Sequence, residues 1–262
     1  VEVDGDPPLI IDLGTGLRPL GEYLRPTEPS AAPQPVGGPL KANALLTHLH
    51  YDHVLGLPFF TPMRNPGAEL DVYGPTQETG PLMDVLAGIV QPPFFPIHMA
   101  EFRGDLRFHE LEGTEEFSVA SCLVTARDIP HIGHTLGFRV EAGGIVLAYL
   151  SDHQAPADGR SIPEGVLELC DGADLVLHDA QYTDQEFAAL PDFGHSTAAY
   201  AAHVASEAGA RRLALFHHDP AHTDDEIDRI LAGVSGRLPS QCRLEITAAS
   251  EGAAVDLAPV AP

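Results

Sequence analysis

The sequence predicts a layered α/β fold, and three observations carry that prediction. Continuous apolar runs, the mark of strands covered on both faces, recur along the chain, and each ends in a polar residue of the kind that ligates metals. Helix-start signals lie between these runs. One run also releases three histidines and an aspartate within six positions, and strands that discharge polar residues at one edge are how layered α/β folds build sites.

In chain order, Leu9-Ile10-Ile11 runs into Asp12 and then Gly14-Thr15-Gly16. Residues 26–39 are rich in Pro, Gly, Ser and Ala and read as a surface loop. The run of Ala42, Ala44, Leu45 and Leu46 ends at Thr47-His48-Leu49-His50-Tyr51-Asp52-His53. The segment Gln91-Pro92-Pro93-Phe94-Phe95-Pro96 cannot be helix interior, and its aromatics either wall a site or pack a loop. Ile145–Leu150 ends at Ser151-Asp152-His153, Leu175-Val176-Leu177 at His178-Asp179, and Leu213–Phe216 at His217-His218-Asp219. Ser161-Ile162-Pro163-Glu164 has the capping-box pattern of a short helix, as has Thr223-Asp224-Asp225-Glu226. Ser196 and Thr197 cap an alanine-rich helix that ends near Gly209. Residues 258–262 read as a frayed tail, and residues 1–262 as one domain.

Composition narrows the function. With 38 acidic against 14 basic side chains the formal charge is −24, a field that repels a polyanion, so no extended nucleic-acid surface is expected. No apolar stretch has the length needed to span a bilayer, so no membrane partner is expected. Cys122, Cys170 and Cys242 are far apart and form no C-x-x-C, which reads as buried, reduced thiols of a cytoplasmic protein.

The cluster is the chemical core of the sequence. Its nitrogen and oxygen donors suit zinc, manganese or iron rather than calcium. His48 and His50, two apart, point the same way if strand geometry persists, and Asp52 with His53 lies one turn onward, free to hold a second ion. Candidate partners at later strand ends are His131 in Pro130-His131-Ile132-Gly133-His134, Asp152, and His217.

This order of H-x-H-x-D-H, then His, Asp and His, resembles the metallo-β-lactamase superfamily over nearly the whole chain, within it the phosphodiesterase and ribonuclease Z-like branch. His131 stands six positions before Gly137-Phe138, Leu177-His178-Asp179-Ala180 is similar to a His-Glu-Ala-Thr element, and Gly194-His195-Ser196-Thr197 matches a His-Ser-Thr element. The resemblance implies a four-layer αββα sandwich and a binuclear metal-dependent hydrolase. It also implies two divalent ions, zinc first and manganese or iron next. His48, His50 and His131 would hold one ion, Asp52, His53 and His217 the other, with Asp152 bridging and Asp12 supporting the loop from behind. Two such ions ionise a shared water into a bridging hydroxide that attacks the substrate.

Asp52, His195 and Asp179 are the residues expected in the catalytic step, His195 as proton donor to the leaving oxygen and Asp179 holding its tautomer. Asp179 favours the cationic form of His195 while a helix N-terminus opposes it. His218 competes with its neighbour His217, since a register shift of one residue exchanges them. His134, His153 and His178 adjoin the candidate ligands and suit an orienting role, whereas His98, His109, His203 and His222 read as surface or structural.

Two departures stand out. Members of this branch carry a strand and a glycine-rich segment ahead of the Asp12 motif, which here lies near the first residue, so an uncovered sheet edge is expected. The basic arm that grips tRNA in ribonuclease Z has no counterpart either. The expected substrate is a small phosphodiester, cyclic ones included. Ester, lactone or thioester hydrolysis, tRNA 3′ processing, and a non-catalytic metal-holding sensor are the alternatives. Members of this branch are often dimers, so a homodimer is the expectation.

Overall fold

The structure, a computed structural model, describes residues 1–24, 39–236 and 243–258. Of the expected loop over 26–39 only Pro39 falls within the described residues, and Cys242 and residues 259–262 lie outside them. The chain divides into two compact units, Val1–Glu112 and Gly113–Pro262.

The first unit holds a parallel sheet of four strands in chain order: β1 Leu9–Ile11, β2 Lys41–Leu45, β3 Glu69–Pro75 and β4 Asp105–Leu111. β1 lies at an edge of this sheet. Helices α1 Leu17–Tyr23, α2 Tyr51–Val54 and α3 Leu82–Ile89 join the strands. Strand alternation sets the two faces. Leu70 and Val72 of β3 are buried in a core with Leu13, Leu17, Leu57, Leu82 and Leu86. The alternate residues Glu69 and Asp71 face the other way, where Arg107 of β4 donates to both, at 2.6 and 2.9 Å.

Two loops of this unit are locked together by backbone. The Asp12 amide donates to the Leu45 carbonyl at 2.8 Å, the Leu13 amide to His53, and the Gly56 amide to Leu13. The approach leaves no room for side chains. A Cβ on Gly56 would overlap the Gly14 carbonyl, and one on Gly14 would overlap the carbonyl of Asp52.

The second unit holds a mixed sheet of seven strands, β5 Glu116–Val119, β6 Cys122–Asp128, β7 Leu136–Ala142, β8 Ile145–Leu150, β9 Leu175–Asp179, β10 Arg212–Phe216 and β11 Glu245–Ala248, again in sequential order. β5 to β8 form an antiparallel meander, and β8 to β11 are parallel. Helices α4 Glu164–Cys170, α5 Asp184–Ala189, α6 Ala198–Glu207 and α7 Asp224–Ser235 complete it. The small side chains of α6 let it pack closely, with Ala201, Val204 and Ala205 fully buried. Because β8, β9 and β10 are parallel neighbours, their C-terminal ends share one sheet edge, and Asp152, Asp179 and His217 come from those ends.

Thr197 caps α6, its hydroxyl accepting from the Tyr200 amide at 3.0 Å, and the Thr223–Glu226 capping box forms on α7. The Ser161 box does not form. The Ser161 hydroxyl donates to the Asp158 carboxylate instead, Pro163 occupies the N-cap, and α4 starts at Glu164. No helix among the described residues is long and apolar enough to cross a membrane.

The backbone lock makes a direct prediction. Gly56→Ala should cost roughly 1–3 kcal/mol in urea-melt stability, the usual penalty of overpacking. Gly16→Ala, where a Cβ meets nothing within 4 Å, should change stability by less than about 0.5 kcal/mol. Equal effects of the two substitutions would contradict the lock.

Candidate functional site

In the first unit Asp12 organises the histidine loop. It adopts a left-handed backbone conformation, φ 60°, which is strained for a residue with a side chain. Its Oδ1 accepts from the Thr47 amide and hydroxyl, both at 2.8 Å, and its Oδ2 from His53 Nδ1 at 2.9 Å. Because the Thr47 hydroxyl gives its proton to Asp12, its oxygen accepts from His48 Nδ1 at 3.1 Å. Both imidazoles are thereby fixed as Nδ1–H tautomers with a lone pair on Nε2. The His48 ring centroid lies 4.5 Å from that of His50 and 4.2 Å from that of His53, and Asp52 Oδ2 lies 3.2 Å from His53 Nε2. Asp12 thus supports this loop from behind.

The second unit assembles His131, Asp152, Asp179, His195 and His217 at the shared strand edge. Asp152 is buried, and its two oxygens face different histidines: Oδ1 lies 3.3 Å from His217 Nε2, and Oδ2 lies 3.7 Å from His131 Nε2. The far nitrogen of each ring is committed. His131 Nδ1 donates to the Gly194 carbonyl at 2.7 Å, and His217 Nδ1 to Gln181 Oε1 at 2.9 Å. Lone pairs on both Nε2 atoms therefore point at carboxylate lone pairs, an arrangement that a divalent cation between them relieves. The imidazole and carboxylate donors fit zinc, manganese or iron.

Local backbone enforces this geometry. His217 has φ 55°, a left-handed conformation that turns it out of β10 toward Asp152, whereas His218 hydrogen-bonds the Ala249 backbone. Gly194 has φ 91°, and a Cβ there would come within 2.5 Å of His131 Nδ1, so only glycine lets its carbonyl reach that ring.

Asp179 is the hub behind these groups. Its Oδ2 accepts from His195 Nδ1 at 2.8 Å and from the His153 amide, and its Oδ1 from the amides of Gln181 and Ser196. Burial pushes its carboxyl up from the usual range, and the hydrogen bond from His195 opposes that shift. Asp179, His195 and His217 each bring a ligand-type atom within 4.8 Å of the others, and the His195 and His217 rings stack at 5.1 Å.

Several roles were hidden in the sequence. Thr47 and Gln181 orient ligand-type histidines but carry no signal of their own, and the Gly194 carbonyl is invisible to a side-chain search. His153 and His178 form a buried pair: His178 Nδ1 donates to the Asp179 carbonyl at 2.7 Å and its Nε2 accepts from His153 Nδ1 at 3.0 Å. His109 and His222, read as surface or structural, are paired with Asp71 and Glu186. The signal for His222 was the Thr183-Asp184-Gln185-Glu186 capping box, which forms on α5 and fixes Glu186.

The model of the beta-lactamase superfamily domain matches residues 9–218. The chain belongs to the metallo-β-lactamase superfamily. Ribonuclease Z of Methanosarcina acetivorans is 29% identical over 231 residues, 70% of this chain and 72% of that protein. An uncharacterized protein of Mycobacterium tuberculosis is 28% identical over 228 residues, 84% of this chain and 73% of that one. Among solved structures, Zn2+-bound PqqB from Methylobacterium extorquens superposes with a TM-score of 0.67 at 21% identity, covering 98% of this chain and 86% of that one. The short form of human tRNase Z gives 0.61 at 23% identity, over 84% and 85%. The fold is thus the α/β metallo-β-lactamase fold, and the protein is a metal-dependent hydrolase of that superfamily.

The buried histidine pair carries a pH signature. Burial depresses the His178 pKa to about 4, against 6.5 for an ordinary histidine. The unfolded chain therefore takes up this proton between pH 6.5 and 4 while the folded one does not, so stability is full above pH 6.5 and falls as pH drops toward 4. The loss from this residue should approach roughly 3 kcal/mol. Urea melts of wild type and His178→Gln at pH 7 and 4.5 check it: the wild type should lose more on acidification, and parallel losses would contradict it.

Proposed function

We propose that the chain is a binuclear metal-dependent phosphodiesterase acting on a small, including cyclic, phosphodiester. The arrangement of Asp152, with one oxygen toward His131 and the other toward His217, supports this reading most strongly, because a carboxylate shared between two cations needs that disposition. In this reading His48, His50 and His131 hold one ion and Asp52, His53 and His217 the other. The reading needs both units as one hydrolase domain, since the ligand set draws on each. Once bound, such a pair supplies an ionised water and neutralises charge on the phosphoryl oxygens.

The protein's own groups do the rest. Asp12, Thr47, Gly194 and Gln181 hold the imidazoles by their Nδ1 atoms, so that Nε2 is presented in each. His195 is the proton donor to the leaving oxygen. Its Nδ1 is bound to Asp179, which leaves Nε2 for the substrate, and its side chain is 14% exposed, enough for contact. In this reading Asp52, with a side chain 60% exposed, would act as a proton acceptor in the catalytic step.

The named relatives favour phosphodiester chemistry, and their names also raise a second reading, tRNA 3′ processing. The formal charge of −24 favours the small substrate, because a long polyanion gains affinity when Lys and Arg neutralise its phosphates and release its condensed counterions into solution.

Steady-state assays of the zinc- and manganese-loaded protein on bis(p-nitrophenyl) phosphate, cyclic nucleotides and a precursor tRNA test the reading. Turnover of the small diesters is expected, with His195→Ala lowering kcat on cyclic nucleotides by about 10²- to 10⁴-fold. On the p-nitrophenyl diester, whose leaving group departs without a proton, the loss should stay under about tenfold. Cleavage of the tRNA alone would transfer the conclusion to the second reading, and hydrolysis confined to carboxylic esters or lactones would overturn both.

A further inference from the structure

Gln154 follows Asp152 and His153 on the loop that leaves β8, and it is half-buried. It takes no part in the reaction proposed above. A glutamine amide carries both N–H donors and an oxygen acceptor on a flexible arm, so it can stand in for the backbone partners that a neighbouring loop lacks.

The loop in need of such partners is residues 191–194. Among the described residues no backbone–backbone hydrogen bond holds any of them, and Pro191 has no N–H to give. Gln154 supplies what is missing. Its Oε1 accepts from the Gly194 amide at 2.5 Å, and its Nε2 donates to the Pro191 carbonyl at 2.6 Å and to the Ala155 carbonyl at 2.9 Å. Only this orientation of the amide works, since a flip would set its oxygen against two carbonyls and its NH2 against an N–H.

The clamp bears directly on His131. Gln154 takes the N–H of Gly194, and the carbonyl of Gly194 accepts from His131 Nδ1 at 2.7 Å. The backbone of Gln154 closes the circuit, its amide donating at 2.7 Å to the carbonyl of Pro130, the neighbour of His131. One residue thus steadies both ends of the bond that fixes the His131 ring. Gly194, at φ 91°, has other conformations open to it, and the next backbone tie, from the Ala155 amide to the His195 carbonyl, is longer at 3.2 Å. Without Gln154 the Gly194 carbonyl is freer to turn from the ring.

We infer that Gln154 is a positioning residue for the metal centre: by holding residues 191–194 it aims the Gly194 carbonyl at His131 Nδ1 and so sets how tightly His131 Nε2 binds its ion. The inference rests on the ligand set proposed above, in which His131 serves one ion and not the other. Gln154 is uncharged, so a neutral replacement leaves the charge of the site as it was. A direct hydrogen-bond partner of a ligating histidine is worth roughly 10–100-fold in metal affinity, and Gln154, acting through that partner, should be worth somewhat less.

The test is competition titration with zinc against a chromogenic chelator, on wild type, Gln154→Met, Gln154→Ala and His131→Ala. Wild type should take up two ions. In Gln154→Met, whose unbranched side chain fills similar space without donating, one ion should bind about 5- to 30-fold more weakly and the other within about twofold of wild type. Gln154→Ala should do the same, and both variants should melt, zinc-free, within a few degrees of wild type. The His131→Ala background separates positioning from general support: there the remaining ion should bind equally with and without Gln154→Met. Equal weakening of both ions, further weakening in the His131→Ala background, or collapse of both Gln154 variants would show a merely structural role and overturn the inference. Wild-type affinity for both ions in a folded Gln154 variant would overturn it too, with the ligand set left standing. Retention of both ions at wild-type affinity in His131→Ala would instead sink the ligand set, and this inference with it.

Discussion

Each histidine proposed to act through Nε2, with the exception of His50, has its Nδ1 tied to an internal acceptor. His53 is held by Asp12, His48 by the Thr47 hydroxyl, His131 by the Gly194 carbonyl, His217 by Gln181 and His195 by Asp179. This shared constraint fixes the tautomer and the ring plane together, so the reactive nitrogens are set before anything binds. A flexible imidazole would lose conformational entropy on binding an ion, and these rings have lost it on folding.

The backbone bears the cost of that preparation. Asp12 and His217 stand in left-handed conformations that residues with side chains rarely adopt, each directly after a strand end. Around them the packing leaves no freedom. Gly14 and Gly56 bring the Asp12 loop and the histidine loop to backbone contact, and Gly194 carries its carbonyl to the His131 ring. Asp179 does a similar service at the sheet edge, where four donors from His153, Gln181, His195 and Ser196 converge on one buried carboxylate.

Much of this was legible in the sequence because burial leaves a strong apolar signature. The runs before Asp12, His48, Asp152, Asp179 and His217 are β1, β2, β8, β9 and β10, and the polar residue ending each one is where the chemistry collects. Strands with a solvated face were harder to see: β4, Asp105–Leu111, alternates polar and apolar residues but lacks a ligand at its end to draw notice. The Ser161 motif failed because a nearby carboxylate, Asp158, competed for its hydroxyl. Groups that orient others left the weakest trace. A threonine, a glutamine and a glycine carbonyl have ordinary side-chain chemistry, and their roles exist only once the chain has folded around the imidazoles.

Anomalous diffraction from zinc-grown crystals would settle whether Asp152 joins two ions, because it locates ions independently of turnover. Two zinc peaks per chain are expected, one against each oxygen of Asp152, with His131 Nε2 on one ion and His217 Nε2 on the other. A single peak, peaks that leave Asp152 uncoordinated, or coordination through Nδ1 of either histidine would contradict it.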